Sequence, residues 1–176
     1  VEELTSGFGA KRVYIVENIQ TALAFEDLPD SLVIMGLGYG VDVLFGFEWL
    51  QEIDCLYWRD IDTHGLTILS RARAFLPRLE SVMMDAATLL KHRALWSTEP
   101  EQVTLDELPN LTPPESEVFN GLRQQRWGAN VRLEQERIDW DEAWRALRGQ
   151  AELVKYRGTS DTMMSAEERQ AQRRKD

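Results

Sequence analysis

The stretch Cys55-Leu56-Tyr57-Trp58-Arg59-Asp60-Ile61-Asp62-Thr63-His64-Gly65 decides how the chain folds. Cys55 to Trp58 are consecutive apolar residues that do not alternate with polar ones, which predicts a short strand buried on both faces. Asp60 and Asp62 follow at its carboxyl end. Beyond them Leu66, Leu69, Ala72 and Leu76 recur at helical spacing. Pro77 closes that helix, because its ring and missing N–H cannot continue the hydrogen-bond ladder. The unit is strand, acidic loop, helix.

The same unit recurs on either side. Arg12 to Val16 predicts a buried strand that ends at Glu17-Asn18, followed by a helix from Ile19 to Leu28 that Pro29 stops. Leu32 to Met35 predicts a second strand, ended by Gly36-Leu37-Gly38-Tyr39-Gly40. Val41 to Ile53 carries helical spacing, with Val41, Leu44, Phe45 and Trp49 as its inward face. Ser81 to Met84 predicts a fourth strand that ends at Asp85, and Ala86 to Leu95 a helix. Alternation of strands and helices with short connections predicts an α/β fold, a parallel four-stranded sheet flanked by helices.

Past Ser97 the texture changes. Glu99 to Pro114 is acidic and interrupted by prolines, so a loop is expected there. Helical stretches at 115–127 and 139–147 form a C-terminal helical extension, joined by Val131-Arg132-Leu133-Glu134-Gln135-Glu136-Arg137-Ile138. The expected division is residues 1–10 as the end of an upstream region, 11–148 as the domain, and 149–176 as a polar, flexible tail. The first residue is Val1 rather than Met, which fits a piece of a longer chain.

The chain has 176 residues, 43% hydrophobic and 28% charged, as an ordinary globular domain has. No apolar run approaches the roughly 20 residues needed to cross a bilayer, and no signal peptide opens the chain. A single cysteine, Cys55, excludes an intramolecular disulfide and any paired-cysteine metal motif, which fits a cytoplasmic protein. The net charge of −10 argues against unaided binding to nucleic acid, since phosphate affinity comes from Lys and Arg.

Ligands of open parallel sheets bind beyond the carboxyl ends of the strands, where the strand order reverses. With the order 2-1-3-4, Glu17, Asp60, Asp62 and Asp85 all reach one crevice. Clustered carboxylates repel one another unless a cation lies among them, and a donor set of oxygens alone suits Mg²⁺ or Mn²⁺. Asp60 and Asp62 alternate along an extended segment, so they share one ion only where the strand has begun to turn, and Gly65 eases that turn. The plainer alternative is that acidic residues end strands because loops are solvated. His64 is a candidate to bond phosphate or a ligating carboxylate, whereas His92 is expected to be exposed. Glu134 and Glu136 are possible additional ligands; on a helix they would point about 200° apart, so only one would face the site. The alternative for Glu136 is a surface pair with Arg132. Arg71 and Arg73, with Arg78, Lys91 and Arg93, are candidates for a phosphate-contacting rim, with an ordinary solvated face as the alternative. The glycines at 36, 38 and 40 lack dinucleotide spacing and follow the second strand, so no nucleotide cofactor is expected. The tryptophans and the tyrosines near strands (Tyr14, Tyr39, Tyr57) are expected in packing.

Glu17 after strand one, with Asp60-x-Asp62-x-x-Gly65 after strand three, resembles the Toprim motif shared by topoisomerases, primases and several nucleases. The wider set (Val16-Glu17-Asn18, the glycine run at 36–40, Tyr57 to Gly65, Met84-Asp85 and Arg132 to Ile138) resembles the carboxyl-terminal Toprim domain of the JetD family, the nuclease subunit of the Wadjet plasmid-defence system. The likeness runs from about residue 11 to 148. Arg59 departs from it, standing where the family carries glycine, and a longer side chain there reaches phosphate or crowds the strand end. The resemblance implies a Mg²⁺- or Mn²⁺-dependent DNA endonuclease in which Glu17 is a metal ligand or proton-transfer group and the aspartate pair holds the metal. It also implies double-stranded circular plasmid DNA as substrate and SMC-like subunits as partners, with a homodimer left open. Two rivals remain: a phosphoryl-transfer enzyme of another class, and a non-catalytic assembly module. Haloacid-dehalogenase-type enzymes place aspartates after the first strand, where this chain has Glu17.

Overall fold

The computed structural model describes residues 9–26 and 28–153. Residues 154–176 of the expected tail and most of segment 1–10 lie outside them. Strand β1 (Arg12–Val16) is followed by α1 (Ile19–Leu23) and β2 (Ser31–Met35). Two 3₁₀ segments, Gly38–Gly46 and Glu48–Gln51, lead to β3 (Asp54–Trp58) and α2 (Thr63–Phe75). Next come β4 (Glu80–Ser81), α3 (Ala86–Lys91), β5 (Ser97–Thr98), α4 (Pro113–Arg123), β6 (Val131–Arg132) and α5, residues 140–153.

The first four strands form one parallel sheet in the order β2-β1-β3-β4. This is the α/β, Rossmann-like arrangement that the alternating pattern predicts. Strands β1 and β3 lie side by side at its centre, and Val13–Val16 and Cys55–Trp58 are buried throughout because helices cover both faces. Each fully buried large side chain, Trp58 and Leu56 among them, contributes on the order of 1.5–3 kcal/mol. α5 packs through Trp140 and Trp144, whose rings meet Phe25 at 5.5 and 5.4 Å while Phe25 meets Tyr14 at 5.0 Å. α5 also continues past 148 into the segment expected to begin the tail, with Ala151 buried and its carbonyl accepting from Arg12.

Two of the local expectations need correction. Val41 to Ile53 is 3₁₀ rather than α: Val41, Leu44 and Leu50 are buried and Phe47 half-buried, a three-residue spacing that matches three residues per turn. Phe45 lies off that line and is exposed. The fourth strand is only Glu80–Ser81, because Met83 turns into the left-handed region at φ 53° and ends the pairing before Asp85. The joining segment at 131–138, for which a helix is only one of the open cases, is extended through Glu134. It forms the antiparallel β5–β6 ribbon, a bridge from Leu133 to Ile61, and a 3₁₀ turn at Gln135–Arg137.

Candidate functional site

The strand order reverses between β1 and β3, and the site is built at their carboxyl ends. Val16 pairs with Trp58 in register, so Glu17 and Arg59 leave the sheet beside each other. Arg59 does not extend outward to phosphate: its side chain is 7% exposed and turns onto Glu17, with Nε 2.9 Å from Oε2 and Nη2 paired with Oε1. The β6 segment crosses these strand ends, because Ile61 and Leu133 exchange backbone hydrogen bonds of 2.9 and 3.1 Å.

That crossing brings Arg132 and Gln135 over the aspartates. Asp60 is buried, with Oδ1 accepting from the Gln135 N–H at 2.7 Å and Oδ2 bound by Arg132 through Nε at 3.1 Å and through Nη2. Asp62 places Oδ2 3.2 Å from Arg132 Nε, while its Oδ1 caps α2 by accepting from the Gly65 N–H at 2.6 Å. Burial pushes the Asp62 carboxyl up to about 7; the Gly65 bond and Arg132 oppose this, while Glu99 and Asp60 add to it. Gly65 is needed for space rather than for a turn, since a Cβ there would overlap the Asp60 carbonyl oxygen and lie 3.3 Å from Asp62 Oδ1.

Glu17, Asp62, Arg59 and Arg132 line one cleft together with Gly38, Tyr39, His64, Glu99 and Glu101. His64 Nε2 lies 2.9 Å from the Glu101 carbonyl oxygen, which can only accept, so that nitrogen carries a proton. In the neutral ring with its proton there, Nδ1 accepts from the Tyr39 hydroxyl at 2.6 Å. Burial, with Asp62 and Glu99 nearby, raises the Tyr39 phenol above its ordinary value. Tyr57 is buried with its hydroxyl donating to the Gly65 carbonyl, and burial pushes its phenol well up.

The other expected site residues fall elsewhere. Asp85 caps α3 by accepting from the Thr88 N–H at 2.7 Å and does not line the cleft. Of the pair at 134 and 136, Glu134 reaches Arg132 at 3.5 Å and also binds Arg137, whereas Glu136 is exposed. Arg132 pairs with Asp60, Asp62 and Glu134 instead of Glu136. Arg73 is withdrawn from any rim: its side chain is 10% exposed and its guanidinium binds Glu115 at 2.6 and 2.8 Å. Arg71 is 48% exposed and pairs with Asp42. Arg78 stands 3.9 Å from Asp54, at the amino end of β3 and so opposite the site. Lys91 and His92 both contact Glu142 on α5, and His92 is buried rather than exposed.

Two residues of the site escaped the sequence. Gln135 is fully buried; its Oε1 accepts from the Glu17 and Asn18 N–H groups and its Nε2 donates to the Trp58 carbonyl. The period-two burial of Val131, Leu133 and Gln135 carried that signal, which a helical reading of the segment hides. Glu99 sits in the acidic stretch between helices and has no periodic signal at all.

The oxygen-only donor set fits a hard divalent cation, and the buried Glu99 Oε2, without a hydrogen-bond partner among the described residues, fits it too. Among the described residues no three acidic, histidine or cysteine side chains already gather as a metal cluster. Arg59 and Arg132 supply the positive charge beside these carboxyl groups instead. Among the described residues no helix is long and apolar enough to cross a membrane.

Residues 1–147 match the family described as Wadjet protein JetD, C-terminal. No curated protein matches the chain. The chain belongs to the JetD C-terminal family.

Proposed function

We propose that this JetD-family domain is a Mg²⁺- or Mn²⁺-dependent endonuclease of Toprim type that cleaves circular, double-stranded plasmid DNA in the cytoplasm alongside SMC-like Wadjet subunits. One observation carries the reading: Glu17 and Asp62 line one cleft beyond the β1/β3 reversal point, with Asp60 beside it on the shared Arg132, in a chain whose family belongs to the Wadjet defence system. Asp60, Asp62 and Glu17 would hold the cation, which offsets charge on the phosphate and lowers the pKa of bound water.

The chain's own side chains account for the rest. Gln135 fixes Asp60 through its backbone N–H and fixes the start of the Glu17 loop through its amide oxygen. Arg132 and Arg59, once released from the carboxyl groups, bind non-bridging phosphate oxygens, for which a planar guanidinium is suited. His64, oriented by the Glu101 carbonyl, moves a proton at Nδ1.

A second reading, a non-catalytic assembly module, draws on the same two arginines, because they neutralise Glu17 and Asp60 without a metal. One experiment separates the two. The complete protein carrying this domain, with its partner subunits, is incubated with circular plasmid in Mg²⁺ or in chelator. Nicked or linear product that needs the metal is the expected result. Intact circles in Mg²⁺, or equal cleavage in chelator, contradict the endonuclease reading.

A further inference from the structure

Glu99 follows β5, and its backbone N–H donates to the Asn130 carbonyl at 2.7 Å, so the ribbon holds it in place against the start of α2. Its side chain is 1% exposed. Oε1 is fully engaged, accepting from the Thr63 N–H at 3.0 Å, the Thr63 hydroxyl at 2.6 Å and the His64 N–H at 3.4 Å. Oε2 is buried and has no hydrogen-bond partner among the described residues. A carboxyl oxygen left in that condition is the costly arrangement that native structures avoid unless a ligand completes it.

Asp62 is built the same way. Its Oδ1 is fixed by the first turn of the same helix, and its Oδ2 lies 3.2 Å from the Arg132 side chain. Both residues line the cleft. Two carboxyl groups are each locked through one oxygen on one helix start, leaving Glu99 Oε2 unpartnered among the described residues and Asp62 Oδ2 on Arg132, so little side-chain freedom would be lost on binding a ligand.

We propose that Glu99 is a further ligand of the divalent cation, which it shares with Asp62 through Oε2. The inference rests on the cation-dependent reading of the site. A purely structural role, capping α2, needs only Oε1, and a glutamine carbonyl fills that role equally well. Glu99→Gln therefore separates the two roles. Mn²⁺ binding to the chain is measured by titration calorimetry, and thermal unfolding is followed in chelator. The variant is expected to unfold at the wild-type temperature in chelator and to bind Mn²⁺ roughly tenfold or more weakly. Equal Mn²⁺ affinity, with or without a loss of stability, overturns the inference and leaves the proposed function standing. No Mn²⁺ binding by the wild-type chain overturns both. Should the variant fail to fold, wild-type crystals soaked in Mn²⁺ decide: an anomalous peak about 2.1 Å from Oε2 is expected, and a peak out of its reach overturns the inference.

Discussion

Asp62 divides its two oxygens between two tasks, capping α2 with Oδ1 and meeting Arg132 with Oδ2. Burial first, then the nearby Glu99 and Asp60, hold its carboxyl up at about 7 against the lowering pull of the Gly65 N–H and Arg132. An acid raised in the folded state stabilises the fold fully below its unfolded value, near 3.8, and loses that contribution as pH rises through about 7. An asparagine side chain at this position would keep the cap and carry no charge. In metal-free protein, Asp62→Asn is therefore expected to raise the thermal midpoint relative to wild type at pH 8, by an amount that shrinks towards pH 5. A midpoint gap independent of pH would sink this explanation. The position of Asp60 and Asp62 at a strand end was legible in the sequence, because a fully apolar strand stops at Arg59. The identity of their partners was not, since Arg132 lies 72 residues from Asp60 along the chain.

Elements meet the same limit. The parallel sheet follows from four apolar segments and its order comes from the structure, while the β5–β6 ribbon pairs only two residues on each side and leaves little pattern to read. α4 starts two residues before its expected beginning at Glu115: Pro113 and Pro114 open the helix, and Thr112 and Glu115 form a capping box at its start. Glu115 also binds Arg73 of α2 and the Ser81 hydroxyl, which joins α4 to the sheet. Burial opposes its charge, yet the bonds from Arg73, Ser81 and Thr112 outweigh burial and lower its carboxyl below 4.5. A depressed acid stabilises above its unfolded value and loses that contribution as pH falls through the folded one. Glu115→Gln is expected to cost about 3 kcal/mol at pH 7, measured by urea unfolding, because it leaves a buried guanidinium without its counter-charge. The cost should shrink as the pH is lowered below 4.5. A loss of the same size at pH 7 and at acid pH would place the effect in packing instead.

At the scale of the molecule, charge and site pull in opposite directions. A chain of net charge −10 repels DNA overall, while Arg59 and Arg132 line the cleft with their charges held by carboxyl groups. The chain alone is accordingly expected to bind duplex weakly at physiological salt, and tight binding that survives added salt would contradict this. The central claim is that the carboxyl groups at the β1/β3 crevice perform the cleavage. Glu17→Ala and Asp60→Ala, each made in the complete protein and assayed with its partner subunits on circular plasmid in Mn²⁺, test it most directly. Both variants are expected to fold and to lose cleavage; cleavage at the wild-type rate by both would contradict the claim.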